Sequence, residues 1–418
     1  MPPLKDLKSE PVFYSARIDG LGERLKSLLN AMVLAKFYKG DFKFTWKNLD
    51  GLDNTHAVKH PADTFSAHFL EKHLVDEIPS KILDLEKKID FFDKTINSTE
   101  SFKVSQNSIY KQIPALRNYI SKNRYEQAFK SISFTDEVNT AIELAKEIDL
   151  ADGSVAIHLR SGDIIYGRYR FSDRYTNKVI SYATADFVLT ELAKVNKKVV
   201  IFGQTNSVCS YLAKKFNAIY PEEMDSYQKL NQLQKAMFDI VLMSRTSNIF
   251  SGNSGFAQLA EIIGNTKISS VEKIFPKEDI FLHTSTLLFS NEVKNYDLFQ
   301  TAFSHWHLYY WNKSIIEADV AINHLSQASK LDPQNLFYKV ILATLYFENK
   351  KNREAEDLIK EILETRKENR ERFSSYSYLK NYKYPDKSGA FKNYKNKLRD
   401  MAKSNLKNAN ILAKDLAQ

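Results

Sequence analysis

Over the first 50 residues the spacing of apolar positions changes twice. Val12 to Ser15 reads as a strand, Asp19-Gly20-Leu21-Gly22 as a glycine turn, and from about Glu23 onward Leu25, Leu28, Leu29, Met32 and Ala35 recur at helical spacing. Gly40 is placed to end that helix. Phe42, Phe44 and Trp46 then alternate with Lys43 and Thr45, the period of a strand. Strand, helix and strand in this order predict a parallel β-α-β start. Phe65 to Ile96 is mostly helical in pattern, and Val138, Ile142, Leu144 and Ala145 give Asp136 to Ile148 one apolar face.

After Asp152-Gly153 the pattern alters. Val155 to Leu159 and Val199 to Phe202 are short continuous apolar runs, as expected of strands covered on both faces. Leu230, Leu233, Met237, Ile240 and Val241 mark a helix leading to a strand at Ile249 and Phe250, and Ser254 to Ile263 is a further helix closed by Gly264. The alternation predicts a doubly wound α/β domain. Beyond about residue 300 strand patterns stop. Ala321, Leu325, Ala328 and Pro333 fit the second half of a tetratricopeptide unit, with Leu342, Ala343, Tyr346, Ala355 and Ile359 in phase in the next; the half around Trp306 and Leu308 fits less well. From Phe373, Tyr376, Tyr378, Tyr382, Tyr384 and Tyr394 interleave with lysines before a basic, helix-like run to Leu416. Four segments follow: 1–150, 151–290, 291–365 and 366–418.

A chain of 418 residues with 43% apolar and 27% charged residues has the composition of a folded protein and exceeds what one core holds. Its charge of +9 is concentrated: Arg366 to Gln418 holds 14 Lys or Arg against 5 acids, which is the whole excess. A neutral body argues against nucleic acid as a partner, since that would need a positive stripe on the folded domain. The basic tail reads as a solvated helix or as a segment drawn to the anionic inner membrane, at about 1 kcal/mol per basic residue near the surface. Cys209, the single cysteine, excludes internal disulfides and cysteine-rich zinc sites and fits a buried small hydrophobe in a reducing compartment. Met1 to Glu10 lack the apolar core of a secretory signal, and no run reaches the ~18 apolar residues of a membrane span. The expected location is cytoplasmic or peripheral on the cytoplasmic face of the inner membrane.

His158-Leu159-Arg160-Ser161-Gly162-Asp163 follows a buried strand directly, at the carboxyl end where open α/β sheets hold ligands. Arg160 there can offer a planar fork to a phosphate, Gly162 lets the backbone approach closely, and Asp163 can orient the guanidinium. A surface arginine beside a satisfied histidine fits the spacing equally well. Ser251-Gly252-Asn253-Ser254-Gly255 lies between strand and helix, so free amides and the Ser254 hydroxyl form a candidate anion-binding end. A hydrolase elbow would need glycine where Phe256 stands.

The His158 to Asp163 run resembles the H-x-R-x-G-D element of the GT-B fucosyltransferases, the group of α-1,2, α-1,6 and protein O-fucosyl enzymes. Ser251 to Ala260 is similar to that family's later serine motif, and Gly20-Leu21-Gly22-Glu23 with the Phe42, Phe44, Trp46 strand resembles its G-x-G-N entry; the match spans roughly residues 11 to 275. Glu23 stands where the family has asparagine, Ser161 replaces a second arginine of two branches, and Phe202-Gly203-Gln204 replaces a more acidic element.

The resemblance implies an α/β GT-B fold of two Rossmann-like domains facing a cleft: an acceptor-side domain at 1–150 with a helical insertion, a nucleotide-sugar domain at 151–290, then helical repeats and tail. It implies an inverting glycosyltransferase with a GDP-sugar donor, fucose or a related sugar, and a glycan acceptor in bacterial surface polysaccharide synthesis. Arg160, Glu23 and Asp163 are the catalytic candidates. His158, Arg160, Gly162, Gln204, Asn206, Ser251, Asn253, Ser254 and Gly255 are the donor-binding candidates, and Asp19, Gly20, Gly22 and Trp46 lie on the acceptor side. No D-x-D element is present, so neither metal nor cofactor is expected. The alternative is a non-catalytic scaffold of a glycan-assembly complex, whose helical repeats hold another assembly protein.

Overall fold

The computed structural model describes residues 10–47, 58, 60–85, 100–365, 375, 376, 379 and 390–416. Expectations for Met1 to Ser9, for 86–96 and for Phe373, Tyr378, Tyr382 and Tyr384 fall outside these residues. Contacts gather the chain into two compact units, Met1–Ala156 with Pro221–Ile268, and Ile157–Tyr220 with Ser269–Gln418.

The chain opens with β1 (Val12–Ser15), α1 (Leu21–Tyr38), β2 (Asp41–Phe44), α2 (Ala67–His73), β3 (Leu83–Asp84) and β4 (Ser101–Val104). It continues with α3 (Ile109–Gln112), α4 (Lys122–Lys130) and α5 (Asp136–Glu147). The four strands form one sheet in the order β2-β1-β4-β3. All three pairings are parallel, and β1 is registered Val12 to Asp41 on one side and Val12 to Ser101 on the other. The β-α-β start is therefore present, with two differences. Trp46 lies beyond the end of β2, and β3 falls within the stretch read as mostly helical. The exit from α1 uses Lys39 in the left-handed region (φ 57°), and Gly40 follows because a Cβ there would stand 2.0 Å from the Pro11 carbonyl oxygen.

Next come β5 (Val155–Leu159), α6 (Gly162–Ile165), α7 (Tyr182–Lys194), β6 (Val199–Gly203) and α8 (Asn206–Phe216). They are followed by α9 (Asp225–Gln228), α10 (Gln232–Ser244), β7 (Asn248–Ser251), α11 (Gly255–Ile263) and β8 (Ile268–Ser269). In the first unit β7 neighbours β8, α10 packs on α5, and α11 packs on α1, α4 and α10. In the second, β6 neighbours β5, every residue of which is buried, and Cys209 of α8 lies 1% exposed behind β6.

Among the described residues the second unit is completed by helices: α12 (Val271–Ile274), α13 (Lys277–Leu288), α14 (Leu298–Asn312), α15 (Ala318–Leu331), α16 (Leu336–Glu348), α17 (Asn352–Thr365), α18 (Ala390–Lys403) and α19 (Lys407–Asp415). Of the positions read as repeat residues, Ala321, Leu325, Ala328, Leu342, Ala343, Ala355 and Ile359 are buried in one cluster with Trp306, Ile164, Ile165 and Val179, Tyr346 packs against it half-buried, and Pro333 is exposed. The tail departs from the reading as a plain solvated helix. Tyr394, Leu398 and Met401 of α18 and Leu412 of α19 belong to the same cluster, so an apolar face of these helices is buried. Among the described residues no helix is long and apolar enough to cross a membrane.

The helical part also buries imidazoles. His305 Nδ1 and His324 Nδ1 lie 2.9 Å apart, and burial lowers the two rings to about 3 and about 4, the neighbouring imidazole adding to the effect on His305. Two nitrogens at that distance need one proton between them, so the pair folds neutral. The unfolded chain takes up protons on these rings near pH 6.5 while the folded one does not, so the stability they contribute is full above that pH and is lost as pH falls toward 4. Melting temperature should drop over pH 6.5 to 4, and His324→Gln should flatten the slope; a flat profile in the native protein would refute the assignment.

Candidate active site

In the second unit the site grows from the ends of β5 and β6. β5 closes at Leu159, Arg160 follows, and α6 begins at Gly162. Arg160 Nη2 donates to Asp163 Oδ1 at 3.3 Å, with both side chains about four-fifths buried (22% and 23% exposed). Arg160 Nε is buried and has no acceptor among the described residues. An unpaired buried donor on a charged group is costly, and it marks where an external acceptor would bind best. His158, 8% exposed, is held down to about 3 by burial and then by the Arg160 charge, so it stays a neutral ring beside the guanidinium.

Gly162 has φ +34°, and a Cβ there would stand 2.7 Å from Gln204 Oε1. That oxygen accepts from the Ser161 backbone N–H at 3.2 Å, so Gln204, directly after β6, locks the turn that carries Arg160. At Gly203 a Cβ would meet Cys209 Sγ at 2.5 Å and Leu159 O at 3.0 Å, which brings the two strand ends together. Asn206, the first residue of α8, accepts from the Tyr220 hydroxyl at 3.0 Å. A small cavity of about 10 Å³, room for about one water molecule, lies here, lined by Arg160, Ser161, Tyr182, Thr205, Cys209 and Gln300 among others. Tyr166, Thr205, Asp297 and Gln300, absent from the sequence-derived set, belong to this cluster.

In the first unit two other sequence motifs meet. A Cβ on Gly22 would stand 2.9 Å from Gly255 O and 3.0 Å from Phe256 Cα, so the starts of α1 and α11 touch through glycine. Glu23 Oε1 lies over Gly255, 2.0 Å from where a Cβ would be. The positive end of α11 thus has a carboxylate beside it, the favourable arrangement for a helix dipole. Glu23 pairs with Lys26 at 2.9 Å; Lys26 Nζ donates to Gln258 Oε1 at 2.5 Å, and Gln258 Nε2 donates to Asn253 Oδ1 at 2.6 Å. Ser254 is fully buried with no partner for its Oγ among the described residues, and Ser251 is buried at the end of β7.

Asp19, Gly20 and Trp46 gather around Arg24, which the sequence reading passed over. The Arg24 guanidinium, on a residue 4% exposed, donates to Asp19 O at 2.6 Å and to Lys47 O at 2.9 Å, and lies 4.8 Å from the centre of the Trp46 ring. Asp19 itself pairs with Arg17 at 2.5 Å. An arginine among Leu21, Leu25 and Leu28 on one helix was the available signal.

The fold is α/β, with a parallel four-stranded sheet in the first unit and an all-helical part closing the second. Three solved structures illustrate what the chain is similar to. The fucosyltransferase NodZ from Bradyrhizobium shares 14% identity at a TM-score of 0.40, covering 62% of this chain and 94% of that one. POFUT1 in complex with GDP shares 10% at 0.32, covering 63% and 98%. POFUT1 in complex with GDP-fucose shares 11% at 0.31, covering 64% and 99%. No family model and no curated protein sequence matches.

Proposed function

We propose that this chain is a GT-B glycosyltransferase that transfers fucose or a related sugar from a GDP-sugar to a glycan acceptor, with inversion and without a metal. The observation that carries this reading is Arg160: a guanidinium at the carboxyl end of β5, aligned by Asp163, with a buried N–H that lacks an acceptor among the described residues. Departure of a nucleoside diphosphate builds negative charge on its terminal phosphate, and a fixed planar cation is suited to stabilise it. Gln204, Asn206 and the neutral His158 supply polar contacts to the donor, as do Ser251, Asn253, Ser254 and Gly255 through the start of α11. Glu23, partnered by Lys26, takes the acceptor proton in this scheme; Asp19, Gly20, Gly22 and Trp46 form the acceptor side. Cytoplasmic synthesis of a bacterial surface polysaccharide is the proposed setting, with the helical part as a tetratricopeptide-like docking element.

The test is thermal melting with guanosine nucleotides. GDP at one hundred times its dissociation constant should stabilise the protein by about 2.7 kcal/mol, with UDP giving a smaller shift. No shift with millimolar GDP or with any of a panel of GDP-sugars would remove the reading.

A further inference from the structure

Asp297 and Gln300 belong to the helical part, at the N-cap and in the first turn of α14, yet they connect through Tyr166 and Thr205 to the turn that carries Arg160. Asp297 Oδ1 accepts from the Gln300 backbone N–H at 3.0 Å, capping the helix. Its other oxygen, Oδ2, accepts a short hydrogen bond from the Tyr166 hydroxyl. Burial first, and then this bond to Asp297, raise the Tyr166 phenol above its ordinary range, so it remains a donor. The Tyr166 oxygen in turn accepts from Thr205 Oγ1 at 3.4 Å. With its one proton committed, Thr205 must accept from Gln300 Nε2 at 3.1 Å and from Ser161 Oγ at 2.8 Å. A carboxylate can only accept, so every proton in this chain points toward Asp297. The far end is Ser161, 2% exposed, between Arg160 and Gly162.

We infer that Asp297 and Gln300 are positioning residues that fix the Ser161 hinge, and through it the aim of the Arg160 fork, making the helical part a component of the donor site. This inference rests on the donor reading proposed above. Diphosphate recognition by a planar fork tolerates only about 0.5 Å and 10 to 20° of error, so an ordered support has a measurable consequence. Asp297→Asn separates positioning from stability. Asparagine is as good an N-cap as aspartate, but it turns an amide donor toward Tyr166 and breaks the proton order. Gln300→Leu removes the second contact to Thr205 at similar volume.

The measurement is calorimetric titration of the full chain with GDP and with GMP, beside melting temperatures. The expected result is native GDP binding, with GDP affinity about tenfold weaker in Asp297→Asn and Gln300→Leu while GMP, which lacks the β-phosphate, changes less than about twofold. Thr205→Val should reproduce the loss and Thr205→Ser, keeping the hydroxyl, should restore it. Variants that keep the native ratio of GDP to GMP affinity overturn the inference alone. Equal loss of both nucleotides together with a collapsed melting temperature also overturns it, since that is the mark of a purely structural contact. A native protein that fails to bind GDP overturns the donor reading and this inference together.

Discussion

Arg160→Ala should abolish the GDP-dependent rise in melting temperature and cut sugar transfer by about 100- to 1,000-fold, the usual effect of removing one electrostatic donor to a leaving group. The argument is local. Asp163 at 3.3 Å is the side-chain partner of the guanidinium and its Nε lacks an acceptor among the described residues, so much of its hydrogen-bonding capacity is held for something else. The ligand-free protein should lose little on the substitution, because one long ion pair at a partly exposed position contributes only about 0 to 1 kcal/mol. Arg160→Lys should recover part of the binding and less of the turnover, since an ammonium supplies charge without the fork. Turnover of the alanine variant within about threefold of native would assign the leaving-group role elsewhere.

Trp306→Ala should destabilise the second unit by about 3 to 5 kcal/mol, read from chemical denaturation. Trp306 is 1% exposed; its ring lies 5.1 Å from Phe337 and 5.8 Å from Tyr338, and its Nε1 donates to Thr176 Oγ1 at 3.2 Å. Replacement opens a cavity and strands a buried hydroxyl. Its cluster includes Ile164 and Ile165 of α6, immediately after the Arg160 turn. Truncation before α14 is therefore a poor way to separate an enzyme from a scaffold, because it unroofs α6 along with the helices. A loss below about 1 kcal/mol would show that the cluster repacks without the indole.

What was legible in the sequence follows from where the determining contacts lie along the chain. β5, β6 and β7 stood out because continuous apolar runs beside helical periods have few other readings, and the Arg160 segment was placed correctly by its position after such a run. β4 escaped notice because its four residues hold only two apolar side chains, Phe102 and Val104, too few to establish a period. Lys39 holds the left-handed position at the end of α1, and the need for glycine at position 40 comes from Pro11, a neighbour in space. Asp297 and Gln300 were unreadable for a similar reason: their partners Tyr166 and Thr205 precede them by 131 and 95 residues. Glu23 is legible as a catalytic candidate, and its place over Gly255 depends on a helix more than 200 residues further on. In the tail, Tyr394, Leu398 and Met401 did keep a helical period, but the surrounding lysines outweighed it.

That buried period limits how the tail can meet a lipid surface. Amphipathic helices enter a bilayer by sinking a greasy side beneath the headgroups. Here that side faces the protein interior, and among the described residues Ile411, 40% exposed, is an apolar side chain left outward. Any attraction of α18 and α19 to an anionic surface would then be Coulombic, fading over a Debye length of about 8 Å at physiological ionic strength and leaving acyl chains undisturbed.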